Sequence, residues 1–168
     1  INLAVSSLSE NEFATIIKTE CNRMNEILIN LHKFLIHDKL PKFDLQVIDV
    51  HEALRECFQI MASVRTLYDG AIHSSLNAKN FMIMGEKEEL SSVFLNIMDN
   101  AMKYCEKPPE MEIVTVSNDK EILISFKDNG IGVKRKYRRR VFRKSFRISN
   151  KDDVEGFGMG LYYAKNII

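Results

Sequence analysis

Cysteine is scarce: Cys21, Cys57 and Cys105 are the three the chain has, isolated and odd in number. That excludes a disulfide-stapled scaffold, and no CxxC or Cys/His cluster offers zinc-ligand spacing. We read a reducing, cytoplasmic setting from it. Long apolar runs are also missing. None approaches the ~18 residues of a membrane span, and no signal-peptide pattern is visible. Any inner-membrane anchor of a parent protein is therefore expected outside these residues, and no membrane contact is expected within them. The chain starts at Ile1 rather than Met, which we read as part of a longer protein. Internal repeats and low-complexity tracts are absent. So are a GxxxxGK[ST] loop and the His-Arg-Asp and Asp-Phe-Gly signatures, which excludes a P-loop nucleotide binder and the protein-kinase fold.

What is present suits one ordinary globular domain plus a small appendage: 168 residues, 45% hydrophobic and 28% charged. Charge is unevenly placed. Residues 134–147 (KRKYRRRVFRKSFR) hold nine Lys or Arg and no acid, so a net charge of +1 leaves −8 on everything else. The basic segment suits polyphosphate, a solvated loop or an acidic partner. A basic run without an aromatic platform is weak ground for nucleic-acid binding, and none is expected.

Residues 9–37 read as one long amphipathic helix. Ser9 and Glu12 make a capping box. Apolar residues then fall at Phe13, Ile17, Cys21, Met24, Leu28, Leu31 and Leu35, a heptad seam widened by Ile16, Ile27 and Phe34. A stripe this wide asks for more than one partner helix, as in a four-helix bundle, and predicts a homodimer through 9–37. Asp38-Lys-Leu-Pro41 breaks this helix from the rest of the chain. Past that break, the pattern predicts a strand over 43–50, a helix over 50–67, strands near 71–76 and 80–84, and a helix over 86–105. A hairpin over 111–116 and 121–127 comes next, then a basic, poorly patterned loop over roughly 133–156 and a last helix starting near Phe157. This is an α+β fold, a helical layer over a mixed β-sheet preceded by one long bundle helix.

Three short motifs carry the chemistry. In the first, Asn96, Asn100 and Lys103 recur at helical spacing with Tyr104 beside them. An amide oxygen suits Mg²⁺, and a lysine is a point charge for phosphate. In the second, Asp128-Asn-Gly130-Ile-Gly132 puts a carboxylate at a strand end beside glycines. Such a carboxylate can accept a proton from a purine's exocyclic amine. In the third, Gly156-Phe-Gly158-Met-Gly160-Leu161 is a GxGxG loop opening a helix, whose N-terminus favours anions. Each alone also fits a bland reading: a solvated helix face, a strand-exit turn, a flexible loop. Their order and spacing lift the joint reading above any one of them.

With these residues the chain resembles the ATP-binding domain of sensor histidine kinases, within the wider family shared by gyrase, the Hsp90 chaperones and the MutL proteins. Residues 96–104 look like that family's N box, 128–132 and 156–161 its glycine boxes, and Val141-Phe142-Arg-Lys-Ser145-Phe146-Arg147 its F box in a lid over the nucleotide. The resemblance implies ATP and Mg²⁺ as cofactors. Asn100 would bind Mg²⁺, and Asn96 would order phosphates and metal, with Asn96 and Lys103 the catalytic pair. Lys103 and Arg147 would contact phosphate, and Tyr104 and Phe142 would line the pocket. Asp128 would read the adenine amine, Gly130 and Gly132 would shape that end, and Gly156, Gly158, Gly160 and Leu161 would fold over the phosphates. Residues 1–40 would be a partial second helix of the dimerisation and phosphotransfer bundle, and 41–168 a catalytic domain short of its last strands. The implied activity is transfer of the γ-phosphoryl group to a histidine, for relay to the receiver domain of a response regulator.

Hydrolytic members of that family resemble one another in having Glu where this chain has Asn96, and an amide cannot act as a general base at neutral pH. Asn96 therefore favours a kinase over a gyrase-like ATPase. The family's phosphoacceptor motif is absent around His32, His37, His51 and His73, so no phosphoacceptor histidine is expected in this chain. The F box departs from its pattern, with Ser145 for an aromatic and Arg143 for an acid. The alternative is thus a degenerate kinase domain serving as a dimerising interaction module.

Overall fold

The computed structural model describes residues 45–62, 66, 68–148 and 158–168. They fall within one compact unit, Phe43–Ile168. The helix expected over 9–37, and the dimer stripe with it, lies outside the described residues, as does Gly156.

The described elements run β1 (Gln46–Asp49), α1 (Val50–Ile60), β2 (Ala71–Leu76), β3 (Met82–Gly85), α2 (Lys87–Lys103), β4 (Glu110–Ser117), β5 (Ile122–Asp128), a single 3₁₀ turn (Arg135–Tyr137) and α3 (Gly160–Ile167). The first strand is shorter than expected because Asp49 ends it. Its carboxylate accepts the Glu52 amide at 2.9 Å, capping α1 from Val50. Helix α1 stops at Ile60, short of the expected Leu67. Met61 is its C-cap and is buried in the core, and the backbone is helical again at Ala62 and Thr66. The last helix, expected near Phe157, begins at Gly160.

The strands form two hydrogen-bonded sets rather than one sheet. β1 pairs antiparallel with β3. β2 runs parallel to β4, and β4 antiparallel to β5, so this second set is mixed. Inward residues of β4 alternate as the pleat requires: Met111, Ile113 and Thr115 are buried, and the intervening side chains are not. Ile122, Ile124 and Phe126 of β5 pack beside them. The β4–β5 turn is made by Asn118, whose Oδ1 accepts the amides of Lys120 and Glu121 at 2.8 and 2.9 Å.

Over this face lies the helical layer. Leu90, Val93, Phe94, Met98, Ala101 and Met102 of α2 are buried, one stripe at helical spacing. Phe94 meets Phe126 with ring centroids 5.9 Å apart. Val50, Ala53, Leu54 and Cys57 of α1 and Tyr163 and Ala164 of α3 complete the core. The Cys57 thiol donates to the Ser91 carbonyl at 3.8 Å. Burial pushes that thiol up to about 11, so it packs as a small apolar group. No helix among the described residues is long and apolar enough to cross a membrane.

One polar contact bolts the two layers together. Buried His51 of α1 shares a 2.9 Å hydrogen bond between its Nε2 and the Oγ1 of buried Thr115 on β4. Thr115 Oγ1 also accepts the Ala78 amide at 3.2 Å, and the His51 ring stacks on Phe81 at 4.7 Å. Burial holds His51 below its ordinary value of 6.5, with the Asp49 carboxylate opposing that shift and Arg55 adding to it.

Two outcomes are expected of this core. Phe94→Ala should cost about 3–5 kcal/mol in a urea titration, since the ring is sealed between helix and sheet. Because His51 is kept neutral in the fold, the unfolded chain binds the extra proton. Stability is then complete above about pH 6.5 and falls as pH drops below it. The urea midpoint should decline between about pH 7.5 and about pH 5.5, and decline less in His51→Gln, which cannot titrate.

Candidate functional site

Helix α2 cannot turn without unburying its apolar stripe, so its other face is fixed as well. Asn96, Asn100 and Lys103 sit there half-buried, and Tyr104 closes the helix as its C-cap. From Asn96 to Tyr104 the helix rises about 12 Å. The two glycine motifs meet the two ends of that span.

At one end, α3 begins against Asn96. A Cβ added at Gly160 would lie 3.2 Å from Asn96 Oδ1. Glycine there lets the start of α3 approach the amide. Asn96 Nδ2 is buried with no hydrogen-bond partner, a deficit of about 1–3 kcal/mol unless something accepts from it. Asn100, one turn on, has no side-chain partner among the described residues. Lys103 is not unattached: its Nζ lies 2.7 Å from Asp99 Oδ2. Asp99 was missed in the sequence, although the four-residue spacing of acid and base would have shown it.

At the other end, the turn after β5 packs on Tyr104. The Ile131 amide donates to the Tyr104 carbonyl at 3.0 Å. A Cβ on Gly130 would come within 2.7 Å of that carbonyl and of Asp128 Oδ1, so only glycine fits. Asp128 Oδ1 accepts the Gly130 amide at 2.9 Å. Its other oxygen has no partner among the described residues. Gly132 has φ 65 but open space around it.

The basic segment is the loop expected there, and it is an ordered one. It is a run of tight turns: amides of Tyr137, Arg140, Val141, Arg143 and Phe146 each bond a carbonyl three or four residues back. Arg140 lies 4.5 Å from the Phe146 ring centroid and 5.7 Å from that of Tyr137, and Lys136 covers Tyr137 at 4.9 Å. These aromatics, of which the sequence reading singled out only Phe146, are covered by cations rather than open to bases. The segment ends against the third motif. A Cβ on Gly158 would sit 2.7 Å from the Phe146 carbonyl oxygen and 2.9 Å from Arg147 Cγ. Gly158 also has φ 66, a left-handed conformation. Phe142 is 39% exposed on the outside of the segment, and Leu161 is half-buried in the first turn of α3.

Two amides thus lie on the polar face of α2, with the glycine-cushioned start of α3 at one end and the Asp128 turn at the other. Residues 85–168 match the family described as histidine kinase-, DNA gyrase B-, and HSP90-like ATPase. The chain belongs to this ATPase family. It is a catalytic ATPase domain of the sensor histidine kinase type. Sensor protein RprX of Bacteroides fragilis is 37% identical over 130 residues, covering 74% of this chain and 25% of that protein. Full-length ShkA in complex with AMPPNP has a TM-score of 0.71 at 20% identity, covering 96% of this chain and 34% of ShkA. Histidine kinase ThkA in complex with the response regulator protein TrrA scores 0.67 at 13% identity, covering 84% and 41%. The chain spans a quarter to a third of the length of the curated relatives it matches first. In this ATPase-family frame, the matched residues run from the end of β3 through α3 and contain all three motifs.

Gly158→Ala and Gly132→Ala share the positive-φ strain, but only the first adds a collision. Trypsin should therefore cut the basic segment faster in Gly158→Ala than in Gly132→Ala, as read by peptide mass mapping.

Proposed function

We propose that this chain is the ATP-binding catalytic part of a sensor histidine kinase, which transfers the γ-phosphoryl group of ATP to a histidine outside the chain. The phosphoryl group would pass on to an aspartate in the receiver domain of a response regulator. The observation that carries this is Asn96: an amide with a buried, unpartnered N–H stands where a hydrolase needs a carboxylate. An amide can donate to a phosphate oxygen but cannot take a proton from water. With an amide rather than a base at this position, the nucleophile would come from the acceptor side chain.

The described residues fit the nucleotide. The free oxygen of Asp128 suits the adenine amine, with Tyr104, Gly130 and Gly132 around the ring. Gly158, Gly160 and the start of α3 suit the phosphates, joined by Lys103, Arg147, Phe142 and Leu161, with Gly156 in the same loop. The Asp99–Lys103 pair would have to share or release the lysine for phosphate. No cluster of three His, Cys, Asp or Glu able to hold a metal exists among the described residues. Mg²⁺ would therefore rest on the Asn100 amide oxygen, on water and on phosphate, where it offsets charge on the oxygens. Residues 1–40 would supply the dimerising bundle helix and 41–168 the catalytic domain.

One observation favours the degenerate-module reading. Ser145 has φ 55, a conformation in which the family's usual aromatic would be strained. The segment is thus built around its departure from the pattern.

Mg-ATP titration of the chain, of Asn100→Ala and of Asp128→Asn tests the site. Both variants should bind at least about tenfold more weakly, the loss of one good polar contact. Equal affinity in all three would remove the assignment. Prompt histidine labelling in a form extended upstream of Ile1 would reject the non-catalytic module.

A further inference from the structure

The first glycine motif contains a residue with no role in the proposed chemistry: Asn129, between Asp128 and Gly130. Its carboxamide bonds three residues of the connection between α2 and β4. Oδ1 accepts the Glu110 amide at the start of β4 at 2.9 Å, and the Cys105 thiol just past α2 at 3.2 Å. Nδ2 donates to the Pro108 carbonyl at 3.2 Å. The backbone amide donates to the Glu110 carbonyl, also at 3.2 Å. Both acceptor sites of the amide oxygen are thereby used. On one side Asp128 is held by Gly130, and beyond it Ile131 holds Tyr104.

We propose that Asn129 is the positioning residue for purine discrimination. It ties the Asp128 turn to the 104–110 connection, and so fixes the carboxylate relative to Tyr104. The inference rests on the reading that Asp128 accepts the adenine amine. Adenine offers a donor there, whereas guanine offers a carbonyl oxygen that a fixed carboxylate repels. Discrimination of this kind needs the carboxylate held in place: a loose one can turn away from guanine and meets adenine less well. Cys105 acts in the same unit as a donor to Asn129, without touching the purine.

The test measures affinities of the whole chain for ATP, GTP and inorganic triphosphate, with thermal midpoints alongside. Asn129→Ala should weaken ATP binding and shrink the ATP-over-GTP preference, each by about tenfold, while triphosphate affinity stays unchanged. Asn129→Asp, which keeps the acceptor for Glu110 and Cys105 but loses the donor to Pro108, should recover only part of the preference. Cys105→Ser, still a donor, should behave as the parent, and Cys105→Ala should show a smaller loss in the same direction. A folded Asn129→Ala that keeps the parent's preference overturns the proposal. Should that variant fail to fold, a folded Asn129→Ser that keeps the parent's preference does so, as does an unchanged preference in Cys105→Ala. Asp128→Asn separates the two levels. If it leaves ATP affinity and preference intact, the underlying reading falls. If it abolishes them while the Asn129 variants do not, the inference alone falls.

Discussion

Burial of one stripe of α2, from Leu90 through Phe94 and Met98 to Met102, governs the rest of the molecule. Those side chains lie between the β4–β5 face and the two flanking helices, and each large one is worth about 1.5–3 kcal/mol of transfer out of water. A helix held so firmly on one side has no freedom to rotate. Its opposite face must then present Asn96, Asn100 and Lys103 as a fixed row. The site is a consequence of the core.

Glycine does the corresponding work on the other chain segments. Gly130 allows the Asp128 turn to touch the Tyr104 carbonyl, and Gly160 allows α3 to begin against Asn96. Each close approach leaves a polar atom available. The carboxylate keeps one oxygen without a partner among the described residues, and the Asn96 amide keeps one buried N–H. Native proteins rarely leave a buried N–H such as that of Asn96 unmatched, whereas the exposed oxygen of Asp128 is open to solvent. Around them the body is acidic and the segment after the first glycine motif strongly basic. The charge contrast favours a polyanion at that segment.

Much of this was legible from residue order. The α2 stripe, the alternation of β4 and the turn at Asn118 are local patterns, and they appear close to where periodicity placed them. The three motifs could be named because spacing along a helix, or beside a glycine turn, reveals which groups share a face. Less legible was anything set by contacts between distant segments. Asp49 ends β1 early because its carboxylate caps the next helix. Asp99 takes the lysine expected for phosphate. The basic run, which has no periodicity to read, coils into turns around Tyr137, Arg140 and Phe146.

By itself, the sequence determined the type of chemistry: an amide in place of a carboxylate, a carboxylate at a strand end, glycines before a helix. These are properties of side chains and of short-range geometry, and no fold is needed to state them. Tertiary structure alone decided the pairings, with Gly160 against Asn96, Gly130 against Tyr104, His51 against Thr115, and Asn129 joined to Cys105, Pro108 and Glu110. Those depend on backbones meeting within a few ångströms after long excursions of chain, which packing of the shared core sets and no local pattern encodes.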